Sequence, residues 1–146
     1  MKLFQQVLVL GLLAAAVAGG LRAWQPFRLS GPGPGQITLE QARALEQTRA
    51  VVWVDARNAA AFASGHVPGA VNLNLAAWET GFAAMLKQWT PDRAVVVYCD
   101  DASCQASEEV AARLRGSAGL PEVYVLYGGW EAAQKEMENG RWKEGQ

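Results

Sequence analysis

The chain has 146 residues, enough for one domain with a substantial core and too few for two of ordinary size. Hydrophobic residues make up 51% of it and charged residues 18%, which excludes a disordered polar chain. The net charge is -1 and the thirteen basic residues are scattered singly, so the clustered Lys and Arg needed to bind nucleic acid are missing.

The first 24 residues, MKLFQQVLVLGLLAAAVAGGLRAW, differ in kind from the rest. Lys2 precedes an apolar run from Val7 to Leu21. Ala16-Val17-Ala18 fits the small-x-small cleavage pattern of a signal peptide. An uncleaved membrane anchor is the competing reading. A spanning helix needs roughly 20 apolar residues, which the run reaches if it extends from Leu3 to Trp24. In the second case this N-terminal hydrophobic helix contacts the membrane. In both, the chain from about residue 25 is expected in the cell envelope, on the periplasmic or extracytoplasmic side, where a disulfide is permitted. Residues 25–37 alternate Gly and Pro from Gly31 to Gly35 and read as a linker. The folded domain is expected over residues 38–140, with a polar, frayed tail at 141–146.

Within the domain, Thr38 and Gln41 have capping-box spacing, which predicts a helix over residues 39–47. AVVWVD (50–55) is apolar on both faces and reads as a buried parallel strand. Asn58 caps a short helix that stops at Gly65, His66 to Ala70 form a turn, and AVNL is a brief strand. Trp78, Phe82, Met85 and Leu86 recur at helical intervals, with the first three on one face. Pro91-Asp92 turns into a second buried strand, residues 94–98. A helix over 106–115 turns Val110, Ala111 and Leu114 inward and ends at Gly116 or Gly119. VYVLY is a third buried strand, and Gly128-Gly129 leads into a last helix over 130–139. Alternating strands and helices predict an α/β domain with a central parallel sheet and helices on both faces. In such sheets the site lies beyond the carboxyl ends of the strands.

The two cysteines, Cys99 and Cys104, are the only ones in the chain. Cys99 ends the second buried strand just before a helix start, where free N–H groups and the helix dipole favour a thiolate. Asp100 and Asp101 oppose that effect. A small buried residue at a strand end is the bland alternative. Cys104 can close a small disulfide with Cys99, or act as the resolving thiol for sulfur or oxygen carried on it. Two cysteines and His66 do not make a familiar metal site.

Four pieces in order resemble the rhodanese-like domain family: VVWVDARNAAAFASGHVPGAVNL, VVVYC, SEEVAARL and VYVLYGGW. The resemblance runs from about Thr38 to Gln134. It implies a sulfurtransferase in which Cys99 takes a sulfane sulfur from a small donor and passes the resulting persulfide sulfur to a thiol, a protein or another nucleophile. That is covalent catalysis without metal or organic cofactor. Asp55, Arg57 and His66 match framework positions, with His66 read as structural in its turn. The active loop is Asp100, Asp101, Ala102, Ser103, Cys104 and Gln105. It departs from common rhodanese loops, which carry Gly and Arg after the cysteine and no second thiol. The Cys-x4-Cys form is similar to that of exported or membrane-linked bacterial members. Without the Arg, a thiosulfate dianion meets two carboxylates. The phosphatases and arsenate reductases on this fold place an Arg six residues after the cysteine; Gln105 stands there, which disfavours ester hydrolysis. A catalytically inactive binding or scaffold module and a thiol–disulfide redox protein are the other two readings.

Overall fold

The computed structural model of the chain describes residues 31–100, 104–140 and 142. The signal or anchor segment, the first part of the linker, Asp101, Ala102, Ser103 and the tail apart from Trp142 lie outside the described residues. Among the described residues no helix is long and apolar enough to cross a membrane.

Five parallel strands form one sheet in the order β1-β5-β4-β2-β3. They are β1 (Gln36–Ile37), β2 (Val51–Asp55), β3 (Val71–Asn72), β4 (Ala94–Tyr98) and β5 (Val123–Leu126). The helices are α1 (Leu39–Thr48), α2 (Ala59–Ser64), α3 (Trp78–Leu86), α4 (Gln105–Gly116) and α5 (Gly129–Glu138), with a short 3-10 turn at Leu75–Ala77 before α3. α1 starts where the capping box predicts: Gln41 N–H donates to Thr38 Oγ1 at 3.2 Å, and Thr38 N–H donates to Gln41 Oε1 at 2.8 Å. Asn58 caps α2 in the same way, accepting from Ala61 N–H at 2.9 Å.

Side chains alternate across the central strands, and each face has its own core. Val52 and Val54 of β2 and Val95 and Val97 of β4 pack with Trp78 and Met85 of α3 and Val110, Ala111 and Leu114 of α4. Trp53 and Val96 point the other way, with Tyr98, toward Ala42 of α1 and Ala133 of α5. Because both faces are covered, β4 is buried at all five positions, which explains its unbroken apolar sequence. Gly81 lets α3 approach β3 closely: a Cβ there would lie 2.7 Å from the Asn72 carbonyl oxygen.

Two expectations change. Gln36 and Ile37, expected in the linker, form an edge strand paired with Val125 and Leu126, so the sheet begins before Thr38. Two residues are too few to show a strand's period. Leu86 lies off the face shared by Trp78, Phe82 and Met85, as the spacing predicts, and is 42% exposed. Trp142, assigned to a frayed tail, packs against Trp53 at 5.3 Å between ring centroids and lies under the Arg43 guanidinium at 4.6 Å. Its large apolar surface covers an edge of the Trp53 core.

Candidate active site

The chain runs outward in opposite directions from the middle of the sheet, from β2 to β3 on one side and from β4 to β5 on the other. Strand order therefore reverses between β2 and β4, and a crevice forms at the carboxyl ends of strands at such a point. Asp55 and Tyr98, the last residues of these two strands, stand in register there. Cys99 follows Tyr98 and is 3% exposed.

Cys99 is joined to Cys104 by a disulfide. Cys104 is half-buried, occupies the N-cap position of α4 and supplies no side-chain cap. The bond therefore holds the Cys99 sulfur at the amino end of α4. Gln105 is the first residue of that helix and is exposed. The backbone of the loop is held from the opposite side. Trp130 N–H donates to the Cys99 carbonyl at 2.7 Å, and Glu131 N–H donates to the Asp100 carbonyl at 3.1 Å. Two free N–H groups at the start of α5 thus satisfy two loop carbonyls. Gly128, at φ 84°, sets this docking: a side chain there would be strained, and its Cβ would meet Ala132 Cβ at 3.0 Å.

Beneath the loop lies a buried ion pair. Arg57 Nε donates to both Asp55 oxygens at 3.0 and 3.1 Å, and its Nη2 donates to Asp55 Oδ2 at 2.7 Å and to the Gly65 carbonyl at 2.6 Å. Arg57 N–H also donates to Asp55 Oδ1 at 2.9 Å. The guanidinium lies over the Trp130 ring at 4.6 Å, and Nη1 stands 3.7 Å from Asp100 Oδ1. Burial alone pulls Arg57 toward the neutral form. The Asp55 hydrogen bonds and charge more than offset this and hold the group above its ordinary value. Tyr98 is shifted far above the usual phenol range, first by burial and then by the Asp55 carboxylate, so it stays neutral and is no acid–base group at working pH. Its hydroxyl accepts from Val67 N–H at 3.0 Å, tying β4 to the turn after α2.

The geometry brings Cys99, Cys104, Asp100, Arg57 and Asp55 together. It does not bring His66 into that group: the imidazole is exposed, stacks on Phe62 at 3.9 Å and shares a 2.9 Å hydrogen bond with the Phe62 carbonyl through Nδ1. The sequence shows Gly128-Gly129 only as the turn into the last helix and gives Trp130 no role at the site. The glycine pair was the one signal in the sequence for a tight approach. Chemically, the arrangement offers two thiols in exchange distance, a cation pairing the loop carboxylate, and an amino end facing sulfur.

Known proteins bear on this geometry. Residues 38–136 match the family model described as the rhodanese-like domain. The thiosulfate sulfurtransferase GlpE of Pseudomonas syringae pv. syringae is 35% identical over 96 residues, covering 66% of this chain and 83% of that protein. The protein of the same name from Shewanella oneidensis is 31% identical over 96 residues, covering 66% and 88%. Among solved structures, a rhodanese-like domain from Anabaena superposes with a TM-score of 0.55 at 20% identity, covering 69% of this chain and 74% of its own, and supports the fold.

Proposed function

The chain belongs to the rhodanese-like domain family, a family of sulfurtransferases, and from that premise we propose that it carries a sulfane sulfur as a persulfide on Cys99. The observation that carries this reading is the position of Cys99. It follows the central strand, at the amino end of α4, in the stretch matched by the family. In the reduced chain the Cys99 thiolate attacks the outer sulfur of a donor. The donor's remaining part leaves, and the sulfur passes to a thiol or protein acceptor. Cys104 is the resolving thiol. Asp55, Arg57 and Trp130 hold the loop in place. The apolar run in residues 1–24, read as a signal peptide or as an anchor in contact with the membrane, supports a location in the cell envelope. Fractionation of cells producing the full chain checks that placement.

The test is the intact mass of the reduced full-length chain before and after thiosulfate or glutathione persulfide. A reducible gain of one sulfur mapping to Cys99 is expected, and Cys99→Ser should abolish transfer from every donor. Retained transfer in that variant refutes the reading. One observation favours a second reading, an inactive binding module: the closed Cys99–Cys104 bond occupies the nucleophile. A chain that takes up no sulfur after full reduction supports it.

A further inference from the structure

Resting on the persulfide reading, we infer that a Cys99 persulfide that meets no acceptor is resolved by Cys104, giving the Cys99–Cys104 disulfide and hydrosulfide, and that an external dithiol reopens the disulfide by attacking Cys104. The argument starts from the bond itself. Its partners are five residues apart in sequence, with Cα atoms 6.0 Å apart, so both thiols are already placed for exchange. When Cys99 carries a persulfide, the Cys104 thiolate attacks Cys99 Sγ. The Cys99–Cys104 bond forms and the bond to the outer sulfur breaks. That sulfur leaves as hydrosulfide with the electron pair. The two cysteine sulfurs lose two electrons between them and the sulfane sulfur gains two, so no outside oxidant is needed.

The direction of reopening follows from burial. An external thiolate must reach the sulfur that it attacks. Cys99 is 3% exposed and follows the fully buried Val97 and Tyr98, so its sulfur is poorly accessible from solvent. Cys104 is half-buried at the start of a helix and presents the accessible end. Attack there expels Cys99 as the thiolate, the form that the amino end of α4 favours, and leaves a mixed disulfide on Cys104. Its next fate selects the reductant. Cys99 remains beside Cys104 at a high effective concentration and expels a monothiol by re-forming the internal bond. A dithiol escapes this. Its second thiol attacks its own mixed-disulfide sulfur, closes the reductant's disulfide and frees Cys104. The reaction that must follow each such resolution is therefore dithiol reduction, by a dithiol–disulfide oxidoreductase or a small dithiol.

Two experiments on the full-length chain, in mild detergent, test this. In the first, the reduced chain receives glutathione persulfide. Hydrosulfide release in step with disulfide closure is expected, and Cys104→Ser should keep the persulfide and release none. A Cys99 persulfide that persists beside reduced Cys104 overturns the inference and leaves the persulfide reading intact. A chain with no mass gain at all overturns both. In the second, the disulfide form is treated with glutathione or dithiothreitol at equal total thiol, then quenched with N-ethylmaleimide and mapped. Near-complete opening by dithiothreitol is expected, with most of the disulfide retained in glutathione and the trapped adduct on Cys104. Glutathione on Cys99, or equal opening by both reagents, overturns the inference.

Discussion

Replacing Arg57 with leucine should destabilise the domain by about 3–5 kcal/mol, because it leaves a carboxylate buried without its cation. The Asp55 side chain is 0% exposed and that of Arg57 is 4% exposed. The guanidinium supplies three contacts to Asp55, at 2.7, 3.0 and 3.1 Å, and one to the Gly65 carbonyl at 2.6 Å. The backbone N–H of residue 57, at 2.9 Å, and the Tyr98 hydroxyl are the partners that survive the substitution. A typical domain has about 5–15 kcal/mol of total stability, so the loss is a large share of it. At about 4–8 °C of melting midpoint per kcal/mol for a domain near this size, the midpoint should fall by roughly 12 °C or more. Urea unfolding of the full-length chain, followed by tryptophan fluorescence, measures the change. The Asp55→Asn/Arg57→Leu double variant removes both charges and should lose less than Arg57→Leu alone. An Arg57→Leu variant within about 1 kcal/mol of the parent, or a double variant worse than the single, would refute the burial argument.

Three further outcomes are expected. Tyr98→Phe strips the acceptor from the buried Val67 N–H and should cost about 1–3 kcal/mol near neutral pH in the same unfolding assay. Because the folded Tyr98 pKa is raised, its contribution is complete below the unfolded value of about 10 and is lost as pH rises above it. The variant's stability should therefore fall less steeply than the parent's in alkali, and parallel alkaline slopes would contradict the assignment. Gly81→Ala gains about 1 kcal/mol of helix propensity, but its Cβ meets backbone at 2.7 and 2.9 Å, so a net loss of stability is expected. A higher melting temperature would show that α3 moves freely from β3. Asp100→Asn removes an exposed charge beside Cys99 and should raise kcat/KM for thiosulfate by about 2–5-fold, corresponding to roughly 0.5–1 kcal/mol at a solvated site. An unchanged or lower value would count against repulsion of the dianion.

Local rules made much of the architecture legible. Thr38 and Gln41, Asn58, and the apolar runs 51–55 and 94–98 each specify their own element, and the alternation of those elements specifies the sheet. The position of Cys99 at a strand end before a helix could be read in the same way. The remaining features were hidden because distant residues make them. Tyr98 reaches back 31 residues to the Val67 amide. The amides of Trp130 and Glu131 are matched to Cys99 and Asp100 only once β5 lies beside β4. Asp55 and Arg57 were marked as framework positions only by the family resemblance, and the contact of Arg57 with Asp100 and its stacking on Trp130 depend on the assembled crevice. Strand β1 escaped notice because its pairing with β5, rather than its own two residues, defines it.

The charges around the thiol bear on which chemistry this loop favours. The amino end of α4 favours an anionic sulfur by about 0.3–1 kcal/mol, and by up to about 2 when partly buried. Asp100 opposes it, but the carboxylate is 66% exposed, and a unit charge about 4 Å away in water is worth only about 1 kcal/mol. Arg57 reduces that further by pairing with Asp100 while being committed to Asp55. These terms nearly balance for a single thiolate held at the helix. They do not balance for a free dianion arriving from solvent, which meets the exposed carboxylate and finds Arg57 buried. Sulfur–sulfur exchange needs a thiolate and a second sulfur in line with it, and the Cys99–Cys104 pair provides both. Capture of a small oxyanion needs a surplus of accessible positive charge, and the only cation paired with Asp100 among the described residues is already engaged beneath the loop. On the proposed reading, an anionic donor such as thiosulfate meets repulsion from Asp100, which the Asp100→Asn variant measures.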